Sequence, residues 1–118
     1  MFKQSLKILF ASYEVAPFYK QGGLADVAGS LPKALKLLGV DIRIIMPYYT
    51  NIKNNFSQIK LYQDDLQIRL NNQTIKFRLL TGNLPGSKVK MYFIDAPQYF
   101  QVKNIFDKIR EMQLEYGL

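Results

Sequence analysis

Lys20-Gln21-Gly22-Gly23-Leu24-Ala25-Asp26 joins an apolar segment, Leu6 to Ala11, to an amphipathic stretch that starts near Gly23. A strand that turns into a helix across paired glycines builds an anion pocket. Glycine lacks the Cβ that would hold a ligand off the backbone, and it tolerates a positive φ where a turn demands one. The first N–H groups of the helix then point outward at the positive end of its dipole, and Lys20 adds a mobile charge beside them. The plain alternative is a tight turn with a solvated lysine, and spacing alone leaves both readings open.

The rest of the composition narrows the chemistry. A chain of 118 residues that is 48% apolar fits one domain with a modest core. No apolar run approaches the roughly 20 residues that span a bilayer, and Ile8 to Ala11 is too short for a secretory signal. These features, with no cysteine, lead us to expect a cytoplasmic protein without a membrane partner. The absence of cysteine and histidine removes disulfides, thiolate metal sites, Ser-His-Asp catalysis and histidine-bound zinc from this chain. The formal charge of +7 raises the question of nucleic acid, yet the basic residues are scattered from Lys3 to Arg110 without a dense run. Solvated surface explains them better, and no nucleic-acid partner is expected.

Periodicity gives an alternating order. Leu24, Val27, Ala28, Leu31, Leu35 and Leu38 recur at helical spacing as one apolar stripe, with Lys33 and Lys36 on the opposite side. Pro32 interrupts the pattern, so a kink or break is expected there, with Ser30 as the cap of a second segment. Gly39 ends the helix. Ile42 to Met46 forms a second buried strand closed by Pro47, which completes a right-handed βαβ unit. A polar loop is expected around Asn51 to Asn55. Beyond it Leu66, Ile68 and Leu70, then Ile75, Phe77 and Leu79, alternate with polar residues about an Asn71-Asn72 turn, the mark of a hairpin. Val89 to Ile94 is another strand, with Asp95-Ala96-Pro97 at the level where α/β sheets carry their sites. The spacing thus predicts strands near 6–12, 41–46, 66–70, 74–80 and 89–94 and helices near 23–38 and 104–116. Neither a dinucleotide G-x-G-x-x-G nor a G-x-x-x-x-G-K-[ST] phosphate loop is present.

Three segments resemble the start of bacterial glycogen synthases and plant starch synthases. They are Lys7-Ile8-Leu9-Phe10-Ala11-Ser12-Tyr13-Glu14-Val15-Ala16-Pro17-Phe18, the Lys20 to Val27 stretch, and Leu31-Pro32-Lys33-Ala34-Leu35. Gly39 through Tyr49, and Tyr92 to Asp95 with Tyr99-Phe100, extend the likeness over most of the first hundred residues. The resemblance implies an α/β fold: a Rossmann-like parallel-centred sheet with a β-hairpin insertion, forming the N-terminal, acceptor-side part of a two-domain GT-B glycosyltransferase. It also implies transfer of glucose from ADP-glucose, with retention, to the non-reducing end of an α-1,4-glucan. No cofactor or metal is implied.

Under that resemblance Lys20 faces the donor diphosphate, and Gly22, Gly23 and Leu24 supply backbone donors. Asp26 accepts hydrogen bonds from sugar hydroxyls or simply suits the helix dipole. Glu14 lies toward the acceptor or braces the loop, and Tyr13, Phe18 and Tyr19 stack on sugars or pack inside. No catalytic residue is assigned within the chain. Members of this family are several times longer, so residues 1–118 are expected to be a partial domain, inactive alone, whose unpaired sheet edge favours self-association. The segment after Phe100 departs from the family pattern. The rival readings are a stand-alone sugar-nucleotide or anion-binding module and a basic nucleic-acid binder.

Overall fold

The computed structural model describes residues 6–100, so the helix expected over 104–116 lies outside the described residues. The elements run β1 (Lys7–Ala11), α1 (Gly23–Leu37), β2 (Asp41–Pro47), α2 (Thr50–Asn55), β3 (Lys60–Leu70), β4 (Gln73–Asn83), β5 (Lys90–Asp95) and α3 (Pro97–Phe100). Five strands form one mixed sheet in the order β1-β2-β5-β4-β3. β1, β2 and β5 are parallel, and β4 and β3 continue antiparallel from β5. The fold class is α/β with an inserted hairpin, as the alternation of periods implies. Among the described residues no helix is long and apolar enough to cross a membrane.

The two faces of the sheet differ. Ile42, Ile44 and Met46 of β2 and Met91 and Phe93 of β5 are buried, whereas Arg43, Ile45, Tyr92 and Ile94 on the other face are half-buried or exposed. The buried face packs against Ala28 of α1, Ile52 of α2, and Val15, Phe18 and Tyr19 of the β1–α1 loop.

Helix α1 departs from the expectation in two ways. It runs unbroken through Pro32, because Ala25, Ala28 and Pro32 lie along one buried line on the sheet and packing holds both halves together. Ser30 caps nothing; its hydroxyl donates to the Asp26 carbonyl at 2.8 Å. The apolar stripe is also split. Ala25 and Ala28 are buried, while Leu24, Val27, Leu31 and Leu38 are exposed; among the described residues β1 ends the sheet and no further element flanks the helix there. Gly39, at φ +93°, ends α1 in a Schellman arrangement, with Val40 N–H donating to the Leu35 carbonyl and Gly39 N–H to that of Lys36.

The hairpin turns on Asn71 and Asn72, both at positive φ (50° and 63°), which suits the twist of two-residue connections. β3 begins at Lys60, earlier than the alternation shows, because the register shifts between Leu61 and Leu66 and Asp65 sits at φ 55°. The expected loop at Asn51 to Asn55 is largely helical: α2 spans Thr50–Asn55 and is anchored by the fully buried Ile52.

Candidate anion site at the first strand-to-helix turn

The loop from Ser12 to Gly22 is a folded element in its own right. Val15 and Tyr19 bridge it by reciprocal backbone bonds of 3.1 and 3.0 Å. Phe18 and Tyr19 are buried, Phe18 against Phe56 and Phe93 and Tyr19 against Tyr49 at 4.3 Å between ring centroids. Both therefore belong to the core, and of the three aromatics singled out from sequence Tyr13 is the exposed one. The Tyr49 hydroxyl donates to the Tyr13 carbonyl at 2.9 Å. Burial, reinforced by the nearby Tyr19, Glu14 and Tyr13, pushes that phenol well above the ordinary tyrosine range, so it stays a donor.

The loop then seats on α1. Ala16 N–H donates to the Ala25 carbonyl at 2.9 Å, and a Cβ placed on Gly29 would lie 2.6 Å from the Ala16 carbonyl oxygen. Only glycine permits that approach of loop to helix.

Glu14 is the centre of the arrangement. It is 2% exposed, and its carboxylate accepts Gln21 N–H at 2.7 Å and Ala25 N–H at 3.0 Å. Ala25 is the third residue of the helix, the position whose amide a capping side chain usually takes; Gly22 at the cap has no side chain, and Glu14 replaces it from eleven residues upstream. Glu14 therefore lies beneath the turn, as the bracing alternative required.

The amides of Gly22, Gly23 and Leu24, at the cap and in the first turn of α1, find no acceptor among the described residues. The space above Gly23 is open, with no atom within 4 Å of where its Cβ would stand. Lys20 lies beside them, its ammonium bridging both oxygens of Asp26 at 2.9 and 2.8 Å, with both side chains more than half exposed. A pair this exposed is worth about 0.2–1 kcal/mol, so an incoming dianion competes readily for the ammonium. The structure thus gathers Lys20, Gly22, Gly23, Leu24 and Asp26 into one surface and puts Glu14 under it. Among the described residues no cluster of acids is placed to hold a metal ion.

Sequence reasoning missed two polar contacts. Asp95, at the carboxyl end of β5, is held by Arg78 of β4 at 2.6 and 3.0 Å, a cross-strand partnership hidden until the register is known. Tyr49 had no signal beyond being aromatic beside Pro47-Tyr48.

The family model for the starch synthase catalytic domain matches residues 7–116. The chain belongs to that family. Members of the starch synthase family similar to this chain include the glycogen synthase of Petrotoga mobilis, 42% identical over 105 residues, a match covering 87% of this chain and 22% of that protein. The glycogen synthase of Caldicellulosiruptor bescii is 48% identical over 98 residues, covering 81% and 20%. Among solved structures, the catalytic domain of starch synthase IV from Arabidopsis thaliana, bound to ADP and acarbose, superimposes with a TM-score of 0.73 at 22% identity, over 97% of this chain and 26% of that one. The chain thus spans about a fifth of the length of the curated relatives it matches.

Proposed function

We propose that this chain is the N-terminal, acceptor-side part of a cytoplasmic glycogen or starch synthase, a retaining glucosyltransferase that moves glucose from ADP-glucose to the non-reducing end of an α-1,4-glucan. The observation that carries the reading is the open row of amides at Gly22, Gly23 and Leu24 beside Lys20, within a segment that matches the family from Lys7 onward. Bound diphosphate takes those amides and draws Lys20 away from Asp26. As the glycosidic bond to ADP breaks, charge grows on the departing phosphate, and donors fixed by Glu14 and the helix dipole stabilise it without having to reorganise. Asp26, released from Lys20, accepts hydrogen bonds from sugar hydroxyls. The solved relative bound to ADP and acarbose supports a site for a nucleotide and a saccharide together.

The test is a chimera in which residues 7–100 replace the matching segment of the Petrotoga mobilis enzyme. We expect glucan elongation from ADP-glucose, and a loss of turnover on the order of 10²-fold on Lys20→Ala with unchanged melting temperature. An inactive but folded chimera, or full activity after Lys20→Ala, refutes the reading.

A further inference from the structure

Gln21 is held at both ends. Its backbone N–H donates to Glu14 Oε2 at 2.7 Å, and its side-chain Nε2 donates to the Tyr19 hydroxyl at 3.0 Å. The phenol it rests on is fixed in turn: Tyr19 is buried, its ring packed on Tyr49 at 4.3 Å between centroids, and the Tyr49 hydroxyl donates to the Tyr13 carbonyl at 2.9 Å. Gln21 itself is exposed. A surface glutamine ordinarily turns freely, and ordering one costs up to about 1.5–2 kcal/mol; here the fold orders it before any ligand arrives.

What the carboxamide has left is specific. One N–H and the carbonyl oxygen find no partner among the described residues, so the group presents a donor and an acceptor side by side in one plane. That pairing matches two neighbouring hydroxyls of a pyranose, each of which can give and take a hydrogen bond. It does not match a phosphate, which calls for donors only and is served by the adjoining amides and Lys20.

The two side chains that precede the glycines lean to different elements. Lys20 reaches Asp26 on α1. Gln21 reaches instead to Tyr19, which leads through Tyr49, just past the end of β2, to Phe100, just past the end of β5, at 6.1 Å between the last two rings. The carboxamide therefore belongs to the strand flank of the turn, whereas the donor's glucose, in the reading above, meets Asp26 on the helix flank. The glucan is the saccharide left for the strand flank.

We propose that Gln21 reads the acceptor: its carboxamide bonds two neighbouring hydroxyls of a glucosyl unit at the glucan's non-reducing end, with Tyr19 as the positioning residue that aims it. The inference rests on the glucan-elongating reading above and deepens it, since it gives a side chain of the glycine turn to the acceptor rather than to the diphosphate.

The experiment uses the chimera that carries residues 7–100, assayed with ADP-glucose and maltoheptaose, together with calorimetry of maltoheptaose binding to the same proteins in the presence of ADP. Gln21→Leu, at an exposed position, should keep the melting temperature and raise both KM and Kd for maltoheptaose about three- to tenfold, the worth of one neutral hydrogen bond, while moving KM for ADP-glucose by less than about twofold. Tyr19→Phe keeps the ring packing and removes only the anchor, so it should raise the same two maltoheptaose constants by about twofold and leave KM for ADP-glucose in place. A purely structural role would instead lower the melting temperature and move both KM values together. Unchanged maltoheptaose constants in Gln21→Leu, or a rise in KM for ADP-glucose in their place, overturns the proposal; in an active chimera that result leaves the catalytic reading intact. An inactive chimera whose maltoheptaose binding still weakens on Gln21→Leu does the reverse, and an inactive chimera that binds no maltoheptaose overturns both.

Discussion

The carboxylate of Glu14 accepts the amide of Ala25 at 3.0 Å, and through it a residue of the loop after the first strand caps the helix that follows. The same carboxylate takes Gln21 N–H, so both sides of the glycine turn are tied to one buried group while the three amides between them have no acceptor among the described residues. The open donors are a consequence of which donors Glu14 fills.

Glu14→Ala should therefore be costly. It strips Gln21 N–H of its acceptor and leaves Ala25 N–H only the longer 3.3 Å bond to the Gly22 carbonyl, and urea unfolding should show a loss of about 1–3 kcal/mol. Glu14→Gln keeps an acceptor oxygen and should lose less than half of that.

The two glycines facing opposite ways should separate folding from binding. Gly29→Ala drives a methyl to 2.6 Å from the Ala16 carbonyl and should cost about 1–3 kcal/mol in thermal or chemical unfolding. Gly23→Ala meets open space and should leave stability unchanged or slightly raised, while weakening ADP binding measured by calorimetry, since the new methyl stands where the ligand approaches.

Much of this was legible from the residues. The runs Leu6 to Ala11 and Ile42 to Met46 and the Asn71-Asn72 turn are local signals, and the structure places elements where they point. The split stripe of α1 was not legible, since which leucines are covered depends on β1 lying at the margin. Helix α2 carries too few residues for a period and is held by one side chain, Ile52. The Glu14 cap joins residues eleven apart and leaves no spacing motif. Local chemistry reads well in a chain, and order across a sheet does not.

Tyr49 makes the protein alkali-sensitive. Its phenol titrates well above the ordinary value in the folded chain, so between about pH 10, where an unfolded tyrosine ionises, and the higher folded value, the native state holds a proton that the unfolded state has lost. Stability must then fall as pH rises through that window. Chemical unfolding at pH 8 and pH 11 should show the drop, and Tyr49→Phe should make it shallower while lowering stability at pH 8 by about 1 kcal/mol for the lost bond to the Tyr13 carbonyl.

Asp26 competes with any anion for Lys20. Asp26→Asn should tighten binding of ADP by about two- to fivefold, the worth of an exposed pair. The gain for ADP-glucose should be smaller, because the sugar loses its carboxylate partner. Equal gains for both ligands by calorimetry would remove Asp26 from the sugar site.

The central claim, that the free amides of the glycine turn grip a diphosphate, is tested most directly by titrating the ¹⁵N-labelled chain with ADP-glucose and following its amide resonances. The account predicts large, saturable shifts at Gly22, Gly23 and Leu24, with smaller ones at Gln21 and Ala25, whose protons Glu14 already holds. Saturable binding that leaves Gly22, Gly23 and Leu24 unmoved, or shifts confined to another part of the sheet, would contradict it.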